Sequence, residues 1–393
     1  MERVVRWSPW PVFVLILSYF LMFGISFGTQ GVMWNRVIER LALSKGVFGT
    51  VQLSGPLISV IILSLAGVLT QRLGAQRMAV IGCSCIAISN FGLAFATNLA
   101  MLVPAMLIAG GGFALVEIAA NAATLDWEQV TGRKVMNLMH AGFSGGAIIG
   151  SLLGGALLSA GLEYPQVFML VGGLWAIVTL ITPLIHYPVV ETHPDSAQNS
   201  NVFRLLFSRP AFVLLAIICA ISTLGESVAN TWSVIYLNEL GASTMLASVV
   251  FAMFNITMFI GRLANSAVVA RLGERSSLLI SGGLMLVAGL LLFGIPNIQA
   301  AFVAFALLGL AVAGVVPTVL SAAAQIEPSN SGAITGAMMT AAYGSFIVTP
   351  PAMGWMAEAI DLRTAMLLVV VTGVLALELA RRLNLPESRS GLA

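Results

Sequence analysis

Long apolar stretches separated by short polar ones run along the entire chain. A membrane-spanning helix needs about 20 apolar residues. The stretches predict an all-α integral membrane fold with twelve transmembrane helices, near residues 11–34, 47–70, 77–97, 100–124, 135–160, 166–187, 209–238, 244–270, 276–294, 298–324, 331–357 and 362–383. The most polar stretch follows the sixth helix. We therefore predict an N-terminal six-helix bundle over 1–187, a cytoplasmic linker over 188–207 and a C-terminal six-helix bundle over 208–393.

Composition narrows the class of protein. Hydrophobic residues make up 59% of the chain and charged residues 9%, whereas a soluble domain is about 25% charged, so lipid must solvate most of this protein. The net charge of +2 comes without a basic patch, which argues against a nucleic-acid partner. The 3 histidines do not recur at a ligand spacing, and the 3 cysteines lie in apolar stretches. We expect no metal, no cofactor and no enzyme active site.

Lysine and arginine predict the orientation, because they are enriched in cytoplasmic loops. With both termini in the cytoplasm, 13 of the 18 basic residues lie inside, namely Arg3, Arg6, Arg72, Arg77, Arg133, Lys134, Arg204, Arg209, Arg271, Arg275, Arg381, Arg382 and Arg389. We therefore expect cytoplasmic termini, with the bacterial inner membrane as the location. The apolar run after Arg6 lacks a small-residue cleavage site, so it predicts a retained first helix rather than a signal peptide.

The two halves of the chain repeat. Arg72-Leu73-Gly74-Ala75-Gln76-Arg77 follows helix 2, and Arg271-Leu272-Gly273-Glu274-Arg275 follows helix 8, at an offset of 199 residues. The starts of helices 5 and 11, Met139–Ser144 and Met339–Gly344, repeat at an offset of 200. Such parallel repeats are typical of secondary transporters, which place the substrate between two halves that rock against each other. No P-loop pattern indicates a nucleotide-driven pump.

The loop between helices 2 and 3 carries a family resemblance. Gly67-Val68-Leu69-Thr70-Gln71-Arg72-Leu73-Gly74-Ala75-Gln76-Arg77 resembles the signature loop of the major facilitator superfamily, with Gln71 where an acidic residue is usual. The resemblance covers essentially the whole chain. It implies the major facilitator fold and a secondary active transporter that moves a small molecule by alternating access. We expect a monomer, and we assign gating or structural roles to Arg72, Arg77 and Arg271.

Three ionisable residues fall inside predicted spans: Glu117 in helix 4, Glu226 in helix 7 and Arg262 in helix 8. A charge at mid-bilayer costs about 2.5–3.5 kcal/mol on insertion scales, so such residues usually serve function. Glu117 shares a helix face with Asn121, four residues later. We predict proton coupling by Glu117 and solute binding by Asn121. The alternative is a protonated structural acid bonded to a neighbouring helix.

The surroundings of Glu117 narrow the resemblance. Glu117-Ile118-Ala119-Ala120-Asn121, followed by Asn137-Leu138, Phe143-Ser144 and Ala147-Ile148-Ile149, resembles the fucose-permease branch of the superfamily. In that branch the helix-4 Glu belongs to the coupling and sugar site, so the resemblance implies that role for Glu117. The branch also uses an Asp in helix 1. The matching stretch here, Phe27-Gly28-Thr29-Gln30-Gly31, contains no acid.

Helix 7 carries the second acid. Glu226 and Asn230 share a helix face. The stretch Gly225–Leu237 is similar to uncharacterised bacterial members of the same branch, with Thr231 where Asp is common. We predict Glu226 in proton coupling, and Asn230 and Trp232 in solute binding. The alternative for Glu226 is a buried structural acid.

Helices 8 and 11 carry candidate gating residues. Arg262 lies near the inner half of helix 8, from where it can snorkel to the cytoplasmic interface, so we predict a gating or structural role. Asn255, one to two turns earlier, is predicted to face the cavity and bind solute. Pro350 and Pro351 interrupt the hydrogen-bond ladder of helix 11 and are predicted to supply a bend for opening.

Helices 5 and 1 carry the remaining candidates. His140 is the residue type that titrates near neutral pH, so it is predicted to relay protons, with a hydrogen-bonded neutral imidazole as the alternative. Gln30 and Trp34 share a face of helix 1 and are predicted to bind a hydroxyl-rich solute. Ordinary helix contacts, or an interfacial position for Trp34, are the alternatives. Glycines in helices 4 and 5 predict that these helices pack closely, because small residues let helix backbones approach. They are Gly110, Gly111, Gly112, Gly142, Gly145, Gly146, Gly150, Gly154 and Gly155.

Together these patterns favour proton-coupled uptake of a small polar solute such as a sugar. Sodium is an alternative coupling ion. A proton-driven efflux antiporter for amphipathic compounds, a uniporter and a non-transporting receptor are the alternative functions.

Overall fold

The structure is a computed structural model that describes residues 9–185, 187, 209–326 and 331–383. It is 91% helix, and the described ranges contain no strand. The prediction of an all-α membrane fold is confirmed. The predicted linker over 188–207 lies outside the described residues.

Fourteen α-helices follow one another along the described chain. The first seven are α1 (Pro9–Leu41), α2 (Lys45–Gln52), α3 (Ser54–Ser64), α4 (Ala66–Phe95), α5 (Leu99–Thr131), α6 (Met136–Ser159) and α7 (Tyr164–Ile181), which a 3₁₀ turn, Thr182–Leu184, extends. The other seven are α8 (Pro210–Glu239), α9 (Thr244–Gly294), α10 (Ile298–Ala313), α11 (Val315–Ile326), α12 (Ser331–Ala359), α13 (Leu362–Ala365) and α14 (Leu367–Arg382).

Among the described residues, ten segments are long and apolar enough to cross a membrane. One of them, α9, has 51 residues and covers both the eighth and the ninth predicted helix. The eleventh predicted helix corresponds to α12, which has 29 residues but is not one of the ten. The count of twelve spans therefore stays a prediction.

The helices form two compact units. One unit contains α1 and the chain from Ser54 through α7, and the other contains Ala42–Leu53 together with the helices from α8 onward. The short helix α2 thus packs with the second unit. The Gly46 amide in the first turn of α2 donates a 2.8 Å hydrogen bond to Glu358 Oε2, and Lys45 forms an ion pair with Glu239. The domain limits predicted from the sequence stay a prediction.

The repeated Arg-Leu-Gly sequence marks the same backbone feature in both units. Gly74 adopts φ 75° and ψ 157°, and Gly273 adopts φ 80° and ψ 165°, each inside an otherwise helical segment. This region of conformational space is essentially restricted to glycine. A Cβ on either glycine would meet no atom within 4 Å, so the backbone angle rather than crowding requires glycine.

The residue two positions after each of these glycines anchors the last helix of its unit. Gln76 Nε2 donates to the carbonyl oxygens of Thr182 (3.0 Å) and Ile185 (2.8 Å). At the offset of 199, Arg275 donates to the carbonyl oxygens of Ala380 (3.3 Å) and Arg381 (2.6 Å). Carbonyls at a helix C-terminus lack intrahelical partners. In both halves, the residue at this position of the repeat therefore donates hydrogen bonds to carbonyls at the end of the last helix, through a glutamine in one half and an arginine in the other.

Candidate transport site

The first polar site lies on α5. Glu117 is half-buried there, and the Asn121 Nδ2 group donates a 2.9 Å hydrogen bond to the backbone carbonyl of Glu117. That bond satisfies one amide N–H within the helix itself. The Asn121 oxygen, which accepts hydrogen bonds, is not used by it.

Phenylalanine rings from three helices meet beside this face. The ring of Phe23 in α1 stacks on that of Phe113 in α5, with centroids 4.8 Å apart and planes 14° apart. Phe143 of α6 meets Phe23 edge-on at 5.4 Å and lies 6.0 Å from Phe27. Phe113 and Glu117 are four residues apart, so they share one face of α5. A carboxyl group and a set of aromatic faces therefore occupy one region of the N-terminal unit.

His140 extends the same region along α6. Its exposed imidazole contacts the ring of Phe20 edge-on, with centroids 5.1 Å apart. The sequence prediction named Glu117, Asn121 and His140 but missed these rings. The available signal was the spacing of Phe20, Phe23 and Phe27, which places three rings along one side of the first helix.

Gln30 and Trp34 lie deeper in the N-terminal unit. Both side chains are buried, at 9% and 5% exposure. The Trp34 ring lies 6.2 Å from that of Phe168 in α7, so it packs inside the unit. The Gln30 Nε2 group has no hydrogen-bond partner in the described chain. A buried amide without a partner is unusual, and it is a donor that a solute oxygen would satisfy.

The second acid lies in the C-terminal unit. Glu226 is half-buried on α8 and interacts electrostatically with Arg262 of α9. The Arg262 side chain is exposed, and its Nη2 lies 3.5 Å from the Met258 sulfur. Arg262 therefore supplies a positive charge near Glu226 within this unit.

Glu226 belongs to a polar face of α8. Residues three and four apart in a helix are neighbours on one face, and those with polar side chains here are Thr223, Glu226, Ser227, Asn230 and Ser233. Ser227 and Ser233 are fully buried, and their hydroxyls have no partner in the described chain. Asn230 is half-buried on the same face.

The structure buries two further residues predicted to bind solute. Trp232 has no exposed surface, and its ring meets that of Phe48 in α2 edge-on at 5.6 Å. Its indole N–H has no partner in the described residues. Asn255 is 2% exposed, and its Nδ2 group donates to the Phe251 carbonyl at 3.0 Å. A role in binding would therefore require these side chains to become accessible.

The predicted gating residues lie in different surroundings. Arg72, Arg77 and Arg271 are exposed near the kink glycines. Pro350 and Pro351 lie within α12, which continues as one helix through them. The described structure places both prolines inside the second unit.

Two helical units, each with an acid inside a transmembrane segment and a kink at a repeated glycine, define a multi-pass membrane carrier. The profile of the Major Facilitator Superfamily matches residues 15–343 and 215–391. The chain belongs to this superfamily, and it is a membrane transporter with a small-molecule substrate.

Known proteins share this similarity over most of their length. Uncharacterized transporter y4wD of Sinorhizobium fredii is 28% identical over 378 residues, which cover 95% of this chain and 97% of that protein. An uncharacterized MFS-type transporter of Yersinia pestis is 26% identical over 328 residues, which cover 83% of this chain and 84% of that protein. A crystal structure of the nucleoside transporter NupG, in a substituted form, superposes with a TM-score of 0.82 at 17% identity, covering 95% of this chain and 99% of NupG. At that identity the structural match shows the shared fold alone.

Proposed function

We propose that this transporter takes up a small polar solute, such as a sugar, together with protons. It works by alternating access, as a monomer with both termini in the cytoplasm. Two six-helix bundles over 1–187 and 208–393 would form the moving halves. A membrane potential of 100 mV adds about 2.3 kcal/mol per inward proton, which is enough for useful accumulation.

The observation that carries this proposal is the position of Glu117 beside the phenylalanine cluster. A carboxyl group inside a membrane span is costly, and proton relays are a recognised reason for one. Aromatic rings next to hydrogen-bonding groups suit a solute with an apolar face and polar edges. The resemblance to the fucose-permease branch supports the same assignment, with Asn121 and Gln30 as candidate hydrogen-bonding partners of the solute.

Glu226 is the second proposed coupling residue. Arg262 supplies a positive charge near it. We assign proton coupling to Glu117 and Glu226, with His140 as a relay, and we give Glu117 the primary role because it shares a face of α5 with the Phe113 ring.

Uptake into proteoliposomes tests the proposal. The panel contains sugars, nucleosides and amphipathic cations, each under an inward proton gradient and under an inward sodium gradient. We expect a sugar-like or nucleoside-like solute to accumulate with the proton gradient and not with the sodium gradient. Accumulation driven only by sodium, or equilibration without accumulation under either gradient, would contradict proton coupling.

Proton-driven efflux of amphipathic compounds is the second candidate. The ring cluster at Phe23 favours it, because aromatic faces also bind apolar molecules. A further relative, 22% identical over 305 residues, is Multidrug resistance protein 2 of Bacillus subtilis. In the same vesicles this function predicts that amphipathic cations exchange against protons, while no sugar or nucleoside accumulates.

A further inference from the structure

A groove opens at one end of the N-terminal unit, where α1 begins, α5 ends and α6 begins. Its volume is about 550 Å³, and Trp10, Phe13, Trp127, Arg133 and Leu138 are among its lining residues. Three membrane-spanning helices have their ends here. The groove therefore lies where the apolar spans meet the aqueous phase, away from the Glu117 region.

One wall of the groove is a fixed row of aromatic rings. The Trp127 indole N–H donates a 2.9 Å hydrogen bond to the Pro9 carbonyl, which ties the start of α1 to the end of α5. The Phe13 ring lies 5.4 Å from Trp127, and the Trp10 ring lies 5.6 Å from Phe13. Trp10 is 64% exposed, so this wall presents an open aromatic surface. Such rings are favoured at the headgroup level of a bilayer.

The rim of the groove carries one positive charge that the described protein does not balance. Lys134 forms an ion pair with Glu128 at 3.2 Å, and that carboxylate also accepts hydrogen bonds from the Val135 and Met136 amides. Exposed Arg133, by contrast, forms no ion pair within the described chain. It is the charged member of the groove lining.

We propose that this groove binds an anionic phospholipid. The Arg133 guanidinium would donate hydrogen bonds to the phosphodiester oxygens, for which its planar fork is well suited. An acyl chain would lie along Trp10, Phe13 and Leu138, of which Leu138 is 51% exposed. Basic pockets between transmembrane helices at the membrane surface are known to hold anionic headgroups. Nothing in this assignment depends on the transported solute.

Native mass spectrometry of the purified full-length chain in detergent tests the assignment. The probes are phosphatidylglycerol, phosphatidylcholine and inorganic phosphate. We expect retention of phosphatidylglycerol, weaker retention of phosphatidylcholine and none of phosphate. Arg133→Gln should weaken phosphatidylglycerol binding about tenfold, which corresponds to about 1.4 kcal/mol. Trp10→Ala should weaken the binding of both lipids.

Arg381→Gln is the matched control, because Arg381 is an exposed arginine at the end of α14 and does not line this groove. It should leave phosphatidylglycerol binding unchanged. Equal losses in the Arg133 and Arg381 variants would overturn the proposal, as would equal binding of the two lipids by the wild type. Retention of inorganic phosphate would indicate a free-anion site instead. Lipid binding that appears only after deletion of residues 2–8 would assign the groove to the chain's own N-terminal segment.

Discussion

The crossing of α1 with α6 and the crossing of α8 with α12 occupy the same place in the two halves but are built differently. In the N-terminal unit the helices meet at Gly24, Gly28, Gly146 and Gly150. A Cβ at any of these positions would overlap a backbone carbonyl oxygen of the other helix. The two backbones are therefore in direct contact.

At the offset of 199, the four glycines correspond to Thr223, Ser227, Ser345 and Thr349. Ser345 Oγ lies 2.9 Å from Thr223 Oγ1 across the crossing. The Thr223 hydroxyl is within hydrogen-bond distance of the carbonyl oxygen of Ala342 on the other helix, at 3.1 Å, and of that of Cys219 on its own helix, at 2.9 Å. One turn further along each helix, Ser227 and Thr349 are fully buried with hydroxyls that have no partner in the described residues.

The difference shows that the repeat preserves where helices cross and not how they are held. Lipid provides little hydrophobic force between helices, so close backbone packing and interhelical hydrogen bonds are the available means. The N-terminal crossing relies mainly on backbone contact, with one hydrogen bond from Thr29 Oγ1 to the Gly150 carbonyl at 3.2 Å, whereas hydroxyl groups occupy the C-terminal crossing. The following substitutions test that contrast, from the largest expected effect to the smallest.

Gly146→Ala should destabilise the protein most, by about 3 kcal/mol or more, because overpacking a backbone contact forces a helix to shift. Gly145→Ala is the matched control, since a Cβ at Gly145 meets no atom within 4 Å. It should be neutral, or stabilising by up to about 1 kcal/mol. Denaturant unfolding in detergent measures both. Equal losses of unfolding free energy at the two positions would contradict the interpretation that the helices of this crossing are in backbone contact.

Gly74→Ala and Gly273→Ala should each cost about 1–3 kcal/mol, because alanine is strained at these backbone angles. Gly173→Ala and Gly283→Ala, at helical glycines with open space, serve as controls within the same units. The two kink variants should show similar losses of unfolding free energy. A loss at only one of them would mean that the repeated kink is not equivalent in the two halves.

Thr223→Val should cost about 1 kcal/mol, the size of an interhelical hydrogen bond in membranes. Thr179→Val is the control, because within the described residues the Thr179 hydroxyl bonds only to the Trp175 carbonyl of its own helix, at 2.8 Å. Thermal unfolding should rank Thr223→Val below both the control and the wild type. No difference between the two variants would contradict a hydrogen-bonded crossing.

Ser227→Ala and Thr349→Val should change stability least, within about 0.5 kcal/mol. Removing a buried polar group that has no partner relieves its desolvation cost. The same unfolding assay applies. A loss of more than about 1 kcal/mol would show that these hydroxyls have partners and that the C-terminal crossing is bonded along its whole length.

The sequence predicts the elements of this fold well, because hydropathy and charge act locally. The helices and the repeat, including the Arg-Leu-Gly sequences at Gly74 and Gly273, follow from residue patterns, whereas the backbone angles of these two glycines were not predicted. The contacts that one helix makes with another cannot be predicted from residue patterns in this way. The glycines of the fifth predicted helix indicated close packing with the fourth, whereas Gly146 and Gly150 contact α1. The spacing of residues along a helix shows which of them share a face, but it does not show which helix packs against that face.

Some residues of the candidate site could be predicted from the sequence and others could not. Glu117 and Glu226 stand out because an ionisable residue in an apolar run is rare. The rings of Phe23, Phe113 and Phe143 do not stand out in the sequence, because phenylalanine is common in membrane helices. Only the arrangement of three helices brings these rings together. Equally, no local pattern indicates that α2 packs with the helices of the second unit.

Proton movement accompanying solute entry tests the central claim, that Glu117 couples the two. Proteoliposomes loaded with a pH-sensitive dye are given the solute identified in the uptake panel. The wild type and Glu378→Gln, a control at an exposed acid paired with Arg382, should both acidify the lumen. Glu117→Gln should exchange labelled for unlabelled solute while moving no protons. Lumenal acidification by Glu117→Gln at the wild-type rate would contradict the account.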